Sequence, residues 1–380
     1  MTEKLYYKDA YIKEFRATVL SVVESGEYFD VVLDRTAFFP EEGGQSSDRG
    51  TLGTARVIDV REQSGVIHHI CDSRPDVGRE YECHIDFDER FEKMQCHTAE
   101  HILCGIVHEL WGYENVGFHL NDSEVVFDID AVLSGAELER VFAKANSIVY
   151  EDREVRAYFP TESELSALEY RSKLDLSENV RIVEIEGCDV CACCAPHVSR
   201  TGEIGLIAMR DFEKHRGGTR IYMLAGRRAE RDYKERCAVM QRVSALTSEP
   251  QRTIDTAVER LVNENEELKL MLKASHLAEA ALRAELLTPT EGNAVVLIES
   301  FDIPSLIAFS SAALPKVGGI LVALSGRDGD FKYVISSKSA DLKARAKEIN
   351  AALSGRGGGR PEMIQGSFSA PLPAIKEYFA

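Results

Sequence analysis

His97-Thr98-Ala99-Glu100-His101 and Cys193-Cys194-Ala195-Pro196-His197 lie far apart in the chain, yet each sets two metal-ligating side chains four residues apart. On a helix, positions i and i+4 project from one face on successive turns, so His97 and His101 can turn two imidazoles to one point. A Cys-x3-His pair on a bend supplies two more donors. Three nitrogens and a thiolate suit tetrahedral zinc (Zn2+), whereas magnesium and calcium take oxygen. If only three of the four bind, one position stays open for chemistry. The first pair is not the zinc-protease pattern, because Thr98 stands where that pattern has its general-base Glu. Cys104 and His108 continue the same helix face, but at 1.5 Å per residue His108 falls roughly 16 Å from His97 along the axis. Cys188-x2-Cys191 is a zinc-like knuckle, which leaves Cys191 as an alternative thiolate to Cys193. Glu100 reads either as an orienter or proton relay for the site, or as an ordinary surface carboxylate.

The elements that must position these residues follow from periodicity. Residues 1–90 alternate apolar and polar positions over short runs with turns at Gly26 and Gly43-Gly44, which predicts a small antiparallel barrel or curled sheet. The pattern becomes helical from Phe91 to Leu110, with Leu103, Ile106, Val107 and Leu110 on one side and the two histidines on another. Residues 91–228 read as an α+β domain holding both motifs, with helices at 135–150 and 162–171 and strands at 123–129, 180–186 and 219–224. Residues 229–288 form a helical arm broken at Pro250. Within it Ile254, Val258, Leu261, Asn265, Leu268, Leu272, Ser275, Glu279, Leu282 and Leu286 trace an interrupted heptad path, which predicts a short coiled coil or hairpin. Residues 289–380 read as a compact α/β unit. The fold class is therefore α+β, in two or three domains.

The 380 residues carry a net charge of −18, with nine cysteines, four of them between Cys188 and Cys194. An odd number of crowded cysteines argues against a disulfide scaffold and for reduced thiols or metal. No run of 18 apolar residues occurs and the start Met1-Thr2-Glu3-Lys4 lacks a signal-peptide core, so a cytoplasmic protein without a membrane span is expected. The negative charge disfavours nucleic acid at long range, so any phosphate-binding surface must be local. Lys214, Arg216, Arg220, Arg227 and Arg228 form one candidate cluster, alternatively a solvated strand-and-turn face. Gly355-Arg356-Gly357-Gly358-Gly359-Arg360-Pro361 offers another, with backbone amides open to an anion between Arg356 and Arg360.

The order His-Thr-Ala-x-His, Ala192-Cys193-Cys194-Ala195-Pro196-His197-Val198 and Thr201-Gly202-Glu203-Ile204-Gly205 resembles the editing domain of alanyl-tRNA synthetase and its free-standing AlaX-type relatives. Asp34 to Gln45 is similar to that family's glycine-rich stretch, with Glu42 where a glycine is usual and Ser46 where proline is. The glycine-rich segment 357–361 resembles the C-terminal domain of the long AlaX proteins. The resemblance implies zinc at His97, His101, Cys193 and His197 and deacylation of tRNA for alanine that carries serine, and also glycine. It further implies that Thr36 reads the serine hydroxyl, that Gln45 belongs to the catalytic pocket, and that the C-terminal half binds tRNA and forms a homodimer. The aminoacylation domain that precedes this region in the synthetase does not precede the barrel here, so no tRNA charging is expected. The competing expectation is a non-catalytic tRNA-binding or synthetase-associated factor, favoured by the Glu42 and Ser46 departures.

Overall fold

The structure is a computed structural model that describes residues 2–172 and 180–380. The chain is a mixed α+β protein in two units, Met1–Met240 and Gln241–Ala380.

In the first unit six strands close a barrel in the order Glu14–Ser25, Tyr28–Leu33, Val66–Cys71, Ala55–Gln63, Gly50–Leu52 and Glu80–Ile85. Period-two alternation sends Val19, Val31, Leu33, Leu52, Val57, Val60, Ile67 and Cys83 inward, so the lumen is a packed core. One polar pair sits in this core. His69 contacts the Val31 carbonyl through Nδ1 at 3.1 Å and the Thr36 hydroxyl through Nε2 at 2.8 Å. A carbonyl only accepts, so Nδ1 carries the proton and Nε2 accepts from Thr36.

Helix α1 (Phe87–Trp111) leaves the barrel and runs through the middle of the unit. It stops at Gly112, which adopts φ 71° and returns its N–H to the His108 carbonyl. Nearly every residue from Arg90 to Val107 is buried, polar and apolar alike, as expected of a helix enclosed on all sides. Around it pack α2 (Gly135–Glu151), the strands Asn115–Leu120, Val125–Ile129, Ile207–His215 and Gly218–Ala225, and the three-stranded sheet Val155–Tyr158, Ile182–Ile185, Asp189–Ala192. Ser134 and Glu137 form a reciprocal capping box at the start of α2. Helix α3 (Glu162–Ala167) is shorter than the 162–171 expected from sequence. The reason is a competing partner: Arg171 donates its N–H to Val190 O and accepts from Ala192 N, pairing with the strand instead of continuing the helix.

Helix α4 (Gly226–Thr247) carries the chain into the second unit, where α5 (Ile254–Leu286) follows. The heptad line does not bury itself here: Val258, Leu261, Leu268, Leu272, Leu282 and Leu286 are exposed, whereas Ala280 and Ala284 are buried in a core with Phe301, Leu306 and Phe309. Small side chains let α5 approach α6 (Ile303–Ala313) closely. A five-stranded sheet runs Ala294–Leu297, Ile320–Arg327, Asp330–Ser337, Met363–Phe368, Gly355–Arg360, backed by α7 (Leu342–Ala352) and α8 (Leu372–Tyr378). The glycine-rich segment is thus an edge strand, not a loop with free amides. A Cβ at Gly357, where φ is 155°, would lie 2.2 Å from Gln365 O and 2.6 Å from Tyr333 Oη, so the strand is glycine-rich in part to pass the Tyr333–Phe368 stack. Arg356 and Arg360, four apart on a strand, fall on one face and are exposed.

Burial pushes His69 down to about 4, so the ring is neutral in the folded barrel, while an unfolded histidine titrates near its ordinary 6.5. The unfolded chain therefore takes up a proton that the folded one refuses as pH falls through this window. Stability should drop between pH 6.5 and about 4 by up to about 3 kcal/mol from this residue alone. Urea midpoints measured across that range should show a shallower pH slope in His69→Gln; an identical slope would assign the loss to other groups.

Candidate metal centre and its surroundings

Helix α1 presents His97 and His101 from successive turns, with ring centroids 5.4 Å apart. The irregular segment after strand Asp189–Ala192 brings His197 to 4.8 Å from His97 and 4.7 Å from His101, ring to ring. Cys193 Sγ lies 3.6 Å from His97 Nε2 and 3.3 Å from His197 Nε2. One donor atom from each of the four residues falls within 4.8 Å of the others. This is the set expected from sequence; the three histidines are buried and Cys193 is partly so.

Each imidazole is held by its other nitrogen. His97 Nδ1 meets Gln45 Oε1 at 2.8 Å, His101 Nδ1 meets Asp189 Oδ2 at 3.0 Å, and His197 Nδ1 meets Thr98 Oγ1 at 3.0 Å. Thr98 donates its own proton to Met94 O, so toward His197 it accepts. All three rings therefore carry the proton on Nδ1, which leaves the Nε2 lone pairs for the centre. Burial pushes His197 down to about 3, so that ring stays neutral. His101, ringed by Cys191, Asp189 and Cys193, is held above its ordinary value against its burial. Burial also opposes ionisation of Cys193, yet His97 and His197 pull its thiol well below the ordinary range.

Cys191 belongs to a different grouping, with His101 and Asp189, and does not join His97 and His197. Burial pushes its thiol up to about 11. Of the two thiols Cys193 is the one built as a thiolate donor. Cys104 is buried, and bonds to Glu100 Oε1 at 3.3 Å.

Glu100 is not a surface carboxylate. It is 4 % exposed, accepts from Asn115 Nδ2, and brings Oε2 to 4.0 Å from His101 Nε2. Gln45 is fully buried and comes from a tight turn in which Glu42 and Gln45 exchange backbone hydrogen bonds. Gly43 and Gly44 take φ 61° and 82° there, and a Cβ on Gly44 would lie 2.3 Å from Phe118 O. Its Oε1 serves His97, whereas its buried Nε2 has no hydrogen-bond partner among the described residues. Thr36 is likewise fully buried: its proton goes to His69, and its oxygen accepts from Phe38 N at 3.1 Å. Only a second acceptor site on that oxygen remains.

The basic cluster is largely engaged. Arg220 forms a two-pronged pair with Asp128 at 2.8 Å for both bonds, Arg227 pairs with Asp88 at 2.6 Å, and Arg228 is buried against Asn121 O and Glu92. Lys214 and Arg216 stand exposed beside the Arg216-Gly217 turn, without an ion pair among the described residues. Sequence reasoning missed Asp189, Thr98, Asn115 and Arg171. Thr98 was visible inside the first motif; Asn115 is recognisable only once its strand lies beside Glu100, and Asp189 with Arg171 only once helix α1 meets residues 188 and 189. That meeting needs Gly105, where a Cβ would lie 2.7 Å from Cys188 O.

Asp189 also accepts from Arg171 at 2.8 and 3.0 Å; burial opposes its charge, but His101 and Arg171 hold the carboxyl below the usual range. Asp189→Ala would strand a mostly buried guanidinium and free the His101 ring, at an expected cost of about 3 kcal/mol in urea unfolding. A loss below about 0.5 kcal/mol would show that the pair contributes no more than a surface ion pair.

Comparisons with known proteins relate the chain to tRNA synthetases and an alanyl-tRNA editing protein. Residues 2–90 match the model for class II (A) tRNA synthetases, and residues 180–222 match the second additional domain of threonyl and alanyl tRNA synthetases. An alanyl-tRNA editing protein, AlaX-L, of Pyrococcus horikoshii is 28% identical over 97% of this chain and 95% of that protein. Alanine–tRNA ligases of Methanopyrus kandleri and Natronomonas pharaonis are 32% and 33% identical over 97% and 96% of this chain, which spans 43% and 42% of their own length. The chain is thus a relative, from end to end, of a long AlaX-type alanyl-tRNA editing protein, and is similar to the matching two-fifths of alanine–tRNA ligase.

Proposed function

We propose that the protein is a zinc-dependent aminoacyl-tRNA deacylase that hydrolyses serine, and also glycine, from tRNA for alanine. The observation that carries this reading is the centre itself: three imidazoles with every Nδ1 engaged and a lowered thiol, in a chain similar throughout to an editing protein. The donor set fits zinc, with His97, His101, Cys193 and His197 as ligands. Bound there, zinc supplies a Lewis-acid centre beside the ester.

The other roles fall to the chain. An aminoacyl ester is already activated, so the site has to place a water, orient the carbonyl and offset charge on the developing oxygen. The unpartnered Nε2 of Gln45 offers a hydrogen bond to that oxygen, while its Oε1 keeps His97 in register. Glu100, with one oxygen near His101, is placed to orient the water and take its proton. Thr36 can act on a serine hydroxyl only as acceptor, because His69 already takes its proton. Alanine offers nothing to that acceptor, so the wrong substrate is favoured.

Four modules divide these tasks: the barrel at 1–90, the metal domain at 91–228, the helical arm at 229–288 and the C-terminal unit at 289–380. Lys214, Arg216, Arg220, Arg356 and Arg360 are read as tRNA contacts, with Arg220 acting through its pair with Asp128. The exposed apolar line of α5 supports a homodimer through the C-terminal half, with that line as the pairing surface. No helix among the described residues is long and apolar enough to cross a membrane, and all nine cysteines are free, in keeping with a reducing cytoplasm. A binding factor without catalysis is the second reading, supported by the Glu42 carboxyl. It hydrogen-bonds with Cys194, the neighbour of Cys193, where a carboxylate would repel a substrate phosphate.

Metal analysis of purified protein should find about one zinc per chain, lost in His97→Ala, Cys193→Ala and His197→Ala but retained in Cys191→Ala. Zinc that survives loss of Cys193 and vanishes with Cys191 would assign the other thiolate. Deacylation assays on separately charged tRNA should release serine and spare alanine. Thr36→Val removes the substrate hydrogen bond, of about 1 kcal/mol, together with the Thr36 bonds to His69 and Phe38 N, and in preparations that stay folded by melting temperature it should slow serine release several-fold with little effect on alanine. Equal rates on serine and alanine would overturn the editing reading, and inactivity at full zinc loading would favour the binding factor. Sedimentation of the full chain should show a dimer that Leu268→Glu with Leu272→Glu dissociates.

A further inference from the structure

We propose that Tyr7, Phe159, Lys4 and Arg181 form a stacking seat for the 3′-terminal nucleoside of an RNA. The part played by its acyl end rests on the editing reading above; the seat itself does not.

Tyr7 meets Phe159 edge to face, with centroids 5.4 Å apart at 76°, and Phe159 leaves half its surface (50%) to solvent. Two cations flank the Tyr7 ring: Lys4 Nζ at 5.3 Å and Arg181 Cζ at 5.4 Å from the centroid. Arg181 is fastened to the segment that carries the thiolate, donating from one terminal nitrogen to Cys193 O and Ala195 O, both at 2.9 Å. Tyr6 packs on Phe39 and Ala195, with Tyr7, Cys193 and Cys194 against the same small cluster. The seat is therefore in direct packing contact with the metal centre's cysteine.

Two buried polar groups in this cluster lack partners. Arg181 Nε–H and the Tyr6 hydroxyl have no hydrogen bond among the described residues, although each is nearly inaccessible. Unsatisfied buried donors are rare and point to a group that completes them. A nucleotide suits the whole set: its base has a flat π face for the exposed Phe159 ring, which Tyr7 backs edge to face, and polar edges for unpaired donors, and it carries a 5′ phosphate for Lys4. Stacking is worth about 1–3 kcal/mol per base and needs no sequence match. The geometry of the substrate demands the same proximity, because the ester is one ribose away from the terminal base. Lys4 is partly neutralised by Glu62 at 2.8 Å, so the seat holds a base more than it attracts a backbone.

The test uses the full chain and an uncharged RNA minihelix with 2-aminopurine at its 3′ terminus. Binding should quench the fluorophore through stacking. Phe159→Ala, at an exposed position, and Tyr7→Leu should each weaken the quenched complex about tenfold, whereas Phe159→Tyr should restore it. Zinc content and melting temperature of the same preparations report folding. Quenching that survives in both Phe159→Ala and Tyr7→Leu, or no quenching by the wild type, overturns the seat. If quenching depends on these rings but serine ester is not hydrolysed, the seat stands and the editing reading falls. If ester is hydrolysed with the same KM in wild type and both variants, the seat falls and editing stands.

Discussion

Three imidazoles and a thiolate crowded into a protein interior repel solvent and each other's protons, and the fold is arranged around making that crowd tolerable. An unpartnered buried N–H costs about 1–3 kcal/mol, so three loose rings would oppose folding by an amount comparable to a domain's net stability. Gln45, Asp189 and Thr98 remove that cost one ring at a time, and in doing so they choose the tautomer. The orientation that satisfies the interior is also the one that turns three lone pairs to a common point. Stability and ligand geometry are thus the same requirement here.

Three different parts of the chain supply those acceptors, which explains why so much is organised around α1. Gln45 comes from the turn after the barrel strand, Asp189 from the three-stranded sheet, and Thr98 from the helix itself. Arg90, fully buried, ties the barrel loop to the helix through Asp48 and the Ala37 carbonyl at 2.6 Å. One turn on, Lys93 Nζ donates to Ser47 O at 2.6 Å, so residues 47 and 48 are stitched to the helix beside the turn that carries Gln45. On the far side Glu203 gathers the N–H groups of Ser199 and Arg200 and the Tyr11 hydroxyl. The Thr-Gly-Glu-Ile-Gly motif therefore holds the chain just after His197 and fixes its path.

Sequence alone reached the donors because their spacing is a local property. Four-residue separations on a helix and on a bend can be read without knowing what lies opposite. The α+β class was legible for the same reason, from periodicity and turn residues. What was not legible depends on pairing. Strand Gly355–Arg360 has no apolar alternation and looks like a turn until Met363–Phe368 is beside it. The end of α3 is decided by Arg171 finding Val190, and Asp189 matters only because Gly105 lets the 188–189 turn touch the helix. The α5 leucines followed a heptad correctly but gave no hint that alanines, not leucines, would face the core.

Charge shows the same division between composition and placement. A net −18 argues against nucleic acid if spread evenly, and the cluster at 214–228 appeared to be the exception. Most of its arginines turn out to be structural: Arg220, Arg227 and Arg228 neutralise Asp128, Asp88 and Glu92 and hold strands and helices together. Within this cluster only Lys214 and Arg216 are left without an ion pair among the described residues, and affinity from phosphate contacts scales with their number. Recognition must lean on groups whose attraction does not depend on net charge. On the proposed reading, aromatic surface and the candidate metal centre meet that condition, and they adjoin where Tyr7 and Cys193 pack against one cluster and Arg181 bonds to the Cys193 carbonyl.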